Sequence, residues 1–204
     1  MKGVEKFDAI EDLSGLTGER GLGVDVANSE FGDKAAYCHG VGDVCFKVED
    51  FQCPDANQLG HRISILLRQE NISVKRLGVD GVGVGAGTIN ALKEDGIVDE
   101  GINLQGAASP IENGKEEKFN NLRSQMWWTA REDLRSGEIA MIRDEGLIAD
   151  LTAPKFSVRN GKIYVESKED LKKRLGHSPN KGDAFVYWNW RRKDRENTEL
   201  QFLT

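Results

Sequence analysis

Three aspartates stand where a carboxylate needs a physical reason. Asp25 interrupts the apolar residues 22–27, Asp80 follows the apolar, β-branched residues 74–79, and Asp183 lies near the start of a late helical segment. A charged side chain in apolar surroundings is costly unless a partner compensates it. If the three converge, with no Lys or Arg among them, divalent Mg²⁺ or Mn²⁺ would relieve their repulsion. For each aspartate taken alone, a turn or capping role is the simpler interpretation.

Glycines are concentrated directly after Asp80. Residues 74–88 read VKRLGVDGVGVGAGT, in which glycine alternates at positions 81, 83, 85 and 87. Such a run lets the backbone turn sharply and lets another group approach closely. The pattern predicts a strand that ends at Asp80 and an open loop before a helix, which is where α/β folds place their chemistry. A tight turn with a capping aspartate explains it equally well.

The elements that must position these carboxylates follow from periodicity and turn signals. Residues 1–20 are predicted to be a weakly structured arm or linker, residues 21–195 the main domain and residues 196–204 a tail. The order is three strands, a helix, a strand, a helix and a strand, then a polar loop, helices, a hairpin and a last helix. The predicted strands cover residues 22–27, 35–41, 44–48, 74–80 and 97–104, and the hairpin strands cover 155–159 and 162–166. The predicted helices cover residues 56–70, 88–94, 119–136, 139–148, 167–175 and 180–192, and the polar loop covers 105–117.

This order predicts an α/β, RNase H-like fold, with a central mixed sheet of three antiparallel strands followed by parallel strands, flanking helices and an added β-hairpin. In that fold the first and fourth strands lie side by side, so Asp25 and Asp80 would meet. A helix across the sheet would bring Asp183 to the same point. Two metal ions held there would clamp the attacking water and the leaving oxygen of a phosphodiester.

Charge is unevenly distributed along the chain. The net charge of −6 argues weakly against nucleic-acid binding. Residues 151–204, however, carry 12 Lys and Arg against 7 Asp and Glu, whereas residues 1–150 carry 16 against 27. The basic end is therefore a candidate face for a polyanion, or simply a solvated surface.

The sequence carries few features that indicate a cellular compartment. The three cysteines show no spacing typical of a zinc site and are predicted to be reduced thiols. No apolar run is long enough for a membrane span. The first residues do not resemble a signal peptide.

Four stretches resemble the C-terminal nuclease domain of a tailed-bacteriophage terminase large subunit, over roughly residues 20–190. They are GVDVANSEFGDK around Asp25, LGVDGVGVGAG around Asp80, FNNLRSQMWWTARED at 119–133 and KIYVESKEDLKKRLGHSPNKGDAFVYW at 162–188. The last two are the most specific.

The resemblance implies a metal-dependent endonuclease that cuts concatemeric double-stranded viral DNA during genome packaging. Asp25, Asp80 and Asp183 match the catalytic and metal-binding acids of the family, which uses two Mg²⁺ or Mn²⁺ ions. The implied partners are double-stranded DNA, the terminase ATPase domain, the small terminase subunit and the portal protein, with no membrane. The implied location is the host cytoplasm.

Further residues near these acids are candidates for supporting roles. Asp33, Asn180 and His177 are predicted to lie behind the metal ligands or on the DNA side, although each also fits a plain turn or surface role. The basic residues that are candidates for DNA contact are Lys172, Lys173, Arg174, Lys181, Arg159 and Lys162.

Three features depart from the family pattern. Asn180 stands where the family commonly has an aspartate, so it would serve only as a neutral ligand or orienting group. Gly182 replaces the usual alanine and would loosen the helix before Asp183. No G-x-x-x-x-G-K-[ST] motif occurs, so the chain cannot supply ATP hydrolysis, and we expect a fragment or a separately encoded nuclease.

Two other functions compete with nuclease activity. Gly81, Gly83 and Ala86 fit a dinucleotide-binding fingerprint, with Asp99 about 20 residues further on. This Rossmann-like alternative lacks a clear second mononucleotide-binding half. The other alternative is a non-catalytic DNA-binding or motor-docking module whose acids are structural.

Overall fold

A computed structural model of the chain describes residues 1–81, 83–97, 104–105, 109 and 119–193. Its helices are α1 Lys2–Asp8, α2 Ala56–Gln69, α3 Ala86–Glu94, α4 Leu122–Ser136, α5 Glu145–Thr152, α6 Lys168–Leu175 and α7 Asn180–Arg191. Its strands are β1 Arg20–Asp25, β2 Ala35–Val41, β3 Val44–Phe51, β4 Leu77–Val79, β5 Ala140–Met141, β6 Phe156–Arg159 and β7 Lys162–Val165. No helix in these ranges is both long and apolar enough to cross a membrane.

The central sheet has five strands in the order β4-β1-β2-β3-β5. Strands β1, β2 and β3 pair antiparallel, while β4 pairs parallel to β1 and β5 parallel to β3. The predicted meander and the predicted neighbourhood of the first and fourth strands are both confirmed. Because parallel neighbours end at the same edge, Asp25 at the end of β1 and Asp80 just after β4 lie at one edge of the sheet.

Two apolar cores cover the two faces of the sheet. Leu22 and Val24 of β1 point into the core that α2 and α3 complete, through Leu59, Ile63 and Leu92 among others. The opposite core is built mainly from α4 and α7 and contains Met126, Phe185 and Trp188. Since side chains alternate along a strand, Gly23 and Asp25 face α7.

A row of glycines lets α7 approach the sheet unusually closely. Gly23 and Gly78 are cross-strand partners on β1 and β4. A Cβ atom on Gly23 would collide with the backbone of α7 at Ala184 and Trp188, and one on Gly78 would lie 2.9 Å from the carbonyl oxygen of Tyr187. The glycines therefore bring the start of α7, with Asp183, next to β1.

Several predicted boundaries were wrong. Residues 2–8 form α1, whose Gly3 and Val4 are buried, rather than a weakly structured arm. Asp25 is the last residue of β1, not its middle. Residues 139–148 contain a strand and the start of α5 instead of one short helix.

The strand predicted over residues 74–80 is present only as β4, because Val74–Arg76 form a 3₁₀ turn. The hairpin and the start of α6 are as predicted. The hairpin turns at Asn160 and Gly161, both with positive φ, and Ser167 caps α6 by accepting a hydrogen bond from the backbone N–H of Asp170. The three cysteines are buried free thiols.

Most of the predicted strand at 97–104 and of the predicted loop at 105–117 lies outside the described residues, as does the tail at 196–204. Leu104, which is described, donates a backbone hydrogen bond to the carbonyl of Val79.

Candidate metal centre

Asp25 and Asp183 meet around the ammonium group of Lys168. Lys168 lies in the first turn of α6, and its Nζ donates to both carboxylate oxygens of Asp25 at 2.8 Å. The same Nζ lies 3.3 Å from Oδ2 of Asp183. Both carboxylates are buried, whereas about a third of the Lys168 side chain (32%) is exposed. The expectation that the acids converge with no lysine or arginine among them was therefore wrong.

A second cation holds the other oxygen of Asp183. Arg123 of α4 donates to Oδ1 at 2.5 Å, and the indole N–H of Trp127, one turn further along α4, donates to the same atom at 3.1 Å. The Arg123 guanidinium also lies over the Trp127 ring, 5.2 Å from its centroid. Asp183 is thus fixed through Oδ1, while Oδ2 is buried without a hydrogen bond from the described residues.

The electrostatics differ between the two carboxylates. Burial raises the pKa of Asp25 to about 7, since the charges of Asp183 and Asp80 add to the effect and Lys168 offsets only part of it. Burial also raises the pKa of Asp183, but the Arg123 and Lys168 charges outweigh it and the net pKa shift is downward. The pKa of Lys168 is raised, because the two carboxylate charges outweigh burial. Asp183 is the firmly ionised member of the pair.

Asp80 is oriented by α7, the helix that also carries Asp183. The hydroxyl of Tyr187, one turn after Asp183 on α7, donates to Oδ2 of Asp80 at 3.2 Å. The turn that follows Asp80 folds back on it so tightly that a Cβ atom on Gly85 would collide with the Asp80 carbonyl oxygen. Gly85 therefore permits the close return of the backbone onto Asp80.

The start of α7 is capped from a neighbouring helix. Its N-cap residue, Pro179, makes no side-chain cap, but Asp150 of α5 accepts a hydrogen bond from the N–H of Gly182 at 3.2 Å. A Cβ atom on Gly182 would lie 3.0 Å from both Asp150 Cβ and the Trp127 ring. Gly182, predicted to loosen the helix, instead permits the contact of α4 and α5 with the residue before Asp183.

Comparisons with known proteins bear on this arrangement. The sequence matches no protein-family model and no curated protein. The nuclease domain of the large terminase subunit gp2 of bacterial virus Sf6 matches with a TM-score of 0.76 at 19% identity, over 92% of this chain and 94% of that chain. The large terminase nuclease from thermophilic phage G20c with bound magnesium matches with a TM-score of 0.55 at 14% identity, over 84% and 80%.

The chain has the fold of a large-terminase nuclease domain. The prediction of an RNase H-like α/β fold is thereby confirmed. A mutant of the Sf6 nuclease domain with manganese also matches, with a TM-score of 0.74 at 19% identity and the same coverage of both chains.

The donor set in this terminase-nuclease fold suits a hard divalent ion. No three His, Cys, Asp or Glu side chains in the described ranges are grouped as a ready-made metal site. Lys168 instead lies between Asp25 and Asp183, and Tyr187 donates a hydrogen bond to Asp80. Carboxylate oxygens gathered around an ammonium ion are the ligands that Mg²⁺ and Mn²⁺ prefer. Asp25, Asp80 and Asp183 would hold such ions once the ammonium is displaced.

The three supporting residues predicted from sequence differ in their surroundings. Asp33 accepts from Lys172 at 2.6 Å and from the buried Ser178 hydroxyl at 3.1 Å, which joins the β1–β2 loop to the start of α7. Oδ1 of Asn180 is buried without a hydrogen-bond partner among the described residues. His177 is exposed and contacts the carbonyl of Ser178.

The predicted DNA-contacting cations are mostly engaged by acids. Lys172 pairs with Asp33, Lys173 with Asp170, Arg174 with Glu166 and Lys181 with Asp144. Arg159 lies over the Tyr164 ring of the hairpin and Lys162 is exposed beside it. Their role in DNA binding stays a prediction.

Sequence reasoning missed the residues that contact the carboxylates or cap the helix start before Asp183, namely Lys168, Arg123, Trp127, Tyr187 and Asp150. All but Asp150 stand inside the two stretches that carry the resemblance most specifically, at 119–133 and 162–188. That location was the available signal. Nothing local marks Asp150, which acts across a contact between helices.

Proposed function

We propose that this chain is a metal-dependent endonuclease that hydrolyses phosphodiester bonds of concatemeric double-stranded viral DNA during genome packaging. The observation that supports the proposal is that Asp25 and Asp183 share the ammonium group of Lys168 while Asp80 lies at the same sheet edge as Asp25, in a terminase-nuclease fold. Two Mg²⁺ or Mn²⁺ ions held by these carboxylates would activate water and stabilise the leaving 3′-oxygen.

The residues of the chain itself have separable tasks in this proposal. Asp25 and Asp183 supply ligands from β1 and α7, and Asp80 supplies a third from the end of β4. Arg123 and Trp127 fix one oxygen of Asp183 and leave the other for an ion. Tyr187 orients Asp80. Lys168 neutralises the cluster in the absence of metal.

The biological setting is part of the same proposal. The substrate would be double-stranded DNA, and the partners would be a terminase ATPase domain, a small terminase subunit and a portal protein in the host cytoplasm. The dinucleotide alternative is not retained, because the fold is RNase H-like.

Plasmid cleavage tests the proposal. The purified chain is incubated with supercoiled plasmid and Mg²⁺, Mn²⁺ or EDTA, alongside Asp25→Asn, Asp80→Asn and Asp183→Asn. We expect nicking and linearisation with either metal, none with EDTA, and loss in each variant that keeps the wild-type circular dichroism spectrum. No cleavage with any metal, or cleavage that survives all three substitutions, would favour a non-catalytic docking module.

A further inference from the structure

Phe31 is a large aromatic side chain that the fold leaves in solvent. It lies in the loop of residues 26–34 that joins β1 to β2, and it is 90% exposed. Among the described residues it is the most exposed of the large hydrophobic side chains, the next being Val158 at 63%. Single exposed apolar residues are common on protein surfaces, so the location of this one and the rigidity of its loop decide its meaning.

The loop around Phe31 is firmly tied. The N–H of Ser29 donates to the carbonyl of Cys53 at 2.8 Å, and the Ser29 hydroxyl accepts from the N–H of Gly32 at 2.6 Å. Asp33 accepts from Lys172 and from Ser178, and Lys34 pairs with Asp50 at 2.9 Å. The residues on both sides of Phe31 are therefore tied down, while its ring lies in solvent.

The ties connect the loop that carries Phe31 to the elements around the carboxylates. Lys168 and Lys172 lie one turn apart on α6; the first binds Asp25 and the second binds Asp33. Ser178, the other partner of Asp33, lies just before α7 and is buried. The loop that carries Phe31 is therefore anchored to the two helices that bring Lys168 and Asp183 to the site.

We propose that Phe31 is an apolar wedge that inserts at a base-pair step of duplex DNA bound over the carboxylates. This inference rests on the proposed nuclease function. Minor-groove proteins commonly push an apolar side chain between base steps, which unstacks them and bends the duplex. Glu30, exposed next to Phe31, disfavours a phosphate contact at this position, so the ring and not a charge makes the contact. The wedge distorts the strand beside the phosphate that is cut.

Paired and partly unpaired substrates test the wedge. Wild type, Phe31→Ala, Phe31→Trp and the control Ile65→Ala, which removes an exposed apolar side chain from α2, are compared on a fully paired oligonucleotide duplex and on one with a short central unpaired bubble. We expect Phe31→Ala to lower kcat/KM about ten-fold on the paired duplex and little on the bubble, since aromatic–base stacking has that magnitude. Phe31→Trp and Ile65→Ala should behave as wild type.

A binding measurement keeps this inference separable from the nuclease proposal. With Ca²⁺ and a duplex that carries 2-aminopurine, wild type should raise the fluorescence by unstacking the base, and Phe31→Ala should not. A chain that shows this signal without cleaving would support the wedge and overturn the nuclease. Cleavage by wild type with an equal loss on both substrates in Phe31→Ala, or with no loss at all, would overturn the wedge. A chain that neither cuts nor binds duplex DNA would overturn both.

Discussion

At the scale of single residues, the centre of the site is a lysine. Lys168 holds Asp25 through both oxygens and reaches Asp183, so the metal-free protein carries its own counter-ion. If these oxygens hold a divalent ion, as we propose, that ion would have to displace the ammonium group. The apparent metal affinity would then be a difference between two cations competing for the same oxygens.

Replacing Lys168 with alanine should tighten metal binding. The competing charge-assisted hydrogen bonds are worth about 1.5–3 kcal/mol, so we expect Mn²⁺ to bind at least about ten-fold more tightly, as measured by isothermal titration calorimetry. Lys172→Ala is the matched control, because Lys172 lies on the same helix as Lys168 but pairs with Asp33. Equal Mn²⁺ affinity in the wild type and Lys168→Ala would contradict the competition.

The hydroxyl of Tyr187 contacts Asp80 in a similar way, by donating a hydrogen bond to its carboxylate. Tyr187→Phe removes the 3.2 Å hydrogen bond and leaves the ring in the core. We expect kcat for plasmid cleavage to fall about ten-fold, since a hydrogen bond to a charged group is worth about 1.5–3 kcal/mol. Tyr164→Phe, on the hairpin, is the control and should keep its activity. An unchanged kcat in Tyr187→Phe would show that the Tyr187 hydroxyl is not needed to orient Asp80.

At the scale of elements, α7 determines the site. It carries Asp183 and Tyr187, lies directly on the glycines of β1 and β4, and takes its N-terminal cap from Asp150. The helix cannot approach the sheet in this way over any residue with a Cβ atom. The contact between α7 and the glycines of β1 and β4 therefore determines both the packing of the core and the position of Asp183.

Gly23→Ala tests that contact. The added methyl group collides with the backbone of α7, which no rotamer change relieves, so we expect a loss of about 3 kcal/mol in the free energy of unfolding, at the upper end of overpacking costs. Urea denaturation measures it. Gly15→Ala is the control, because nothing lies within 4 Å of its Cβ position. Equal stability of the two variants would refute the close approach.

The start of α6 has a pH-dependent support. Arg174 holds the pKa of Glu166 near 2, below its ordinary 4.5, through hydrogen bonds at 2.9 and 2.7 Å. A carboxyl whose folded pKa is lowered contributes stability above the unfolded pKa and loses it as pH falls through the folded value. Glu166→Gln should therefore be less stable than wild type at pH 6, with the difference shrinking between about pH 4.5 and 2. Denaturation curves across that range check it, and a constant difference would contradict it.

Sequence predicts the fold better than it predicts the site. The pairing of β1 with β4 follows from element order, and the alternation of Leu22 and Val24 with Gly23 and Asp25 identifies the two faces. The helix α1 was missed because seven residues have little intrinsic helix stability, and packing on β5 and α4 supplies it. Lys168 was recognised only as part of a helix start, because its partner is 143 residues away in the chain.

At the scale of the whole molecule, metal binding and folding are linked. The carboxylates that would hold the ions come from β1, the end of β4 and α7, so an ion bound there stabilises the folded chain against the unfolded one. Stabilisation by a ligand depends only on its concentration relative to its dissociation constant. Stability therefore reports site occupancy without any DNA present.

Thermal unfolding with Mn²⁺ should show this linkage. At a Mn²⁺ concentration 100 times its dissociation constant the folded state gains about 2.7 kcal/mol, and we expect a clear rise in Tm by calorimetry. Asp25→Asn should abolish the rise, whereas Asp170→Asn, which changes an exposed acid on α6, should keep it. A Tm that is independent of Mn²⁺ in the wild type would argue against an ion between these elements.

The seating of α7 also limits how the site can be turned off. Asp183 and Tyr187 occupy successive turns of one helix face, and between them they control two of the three carboxylates. A displacement of α7 along its axis would move Asp183 and the Tyr187 hydroxyl together, while Asp25 stays on its strand. Any such movement therefore changes the surroundings of Asp183 and Asp80 at the same time.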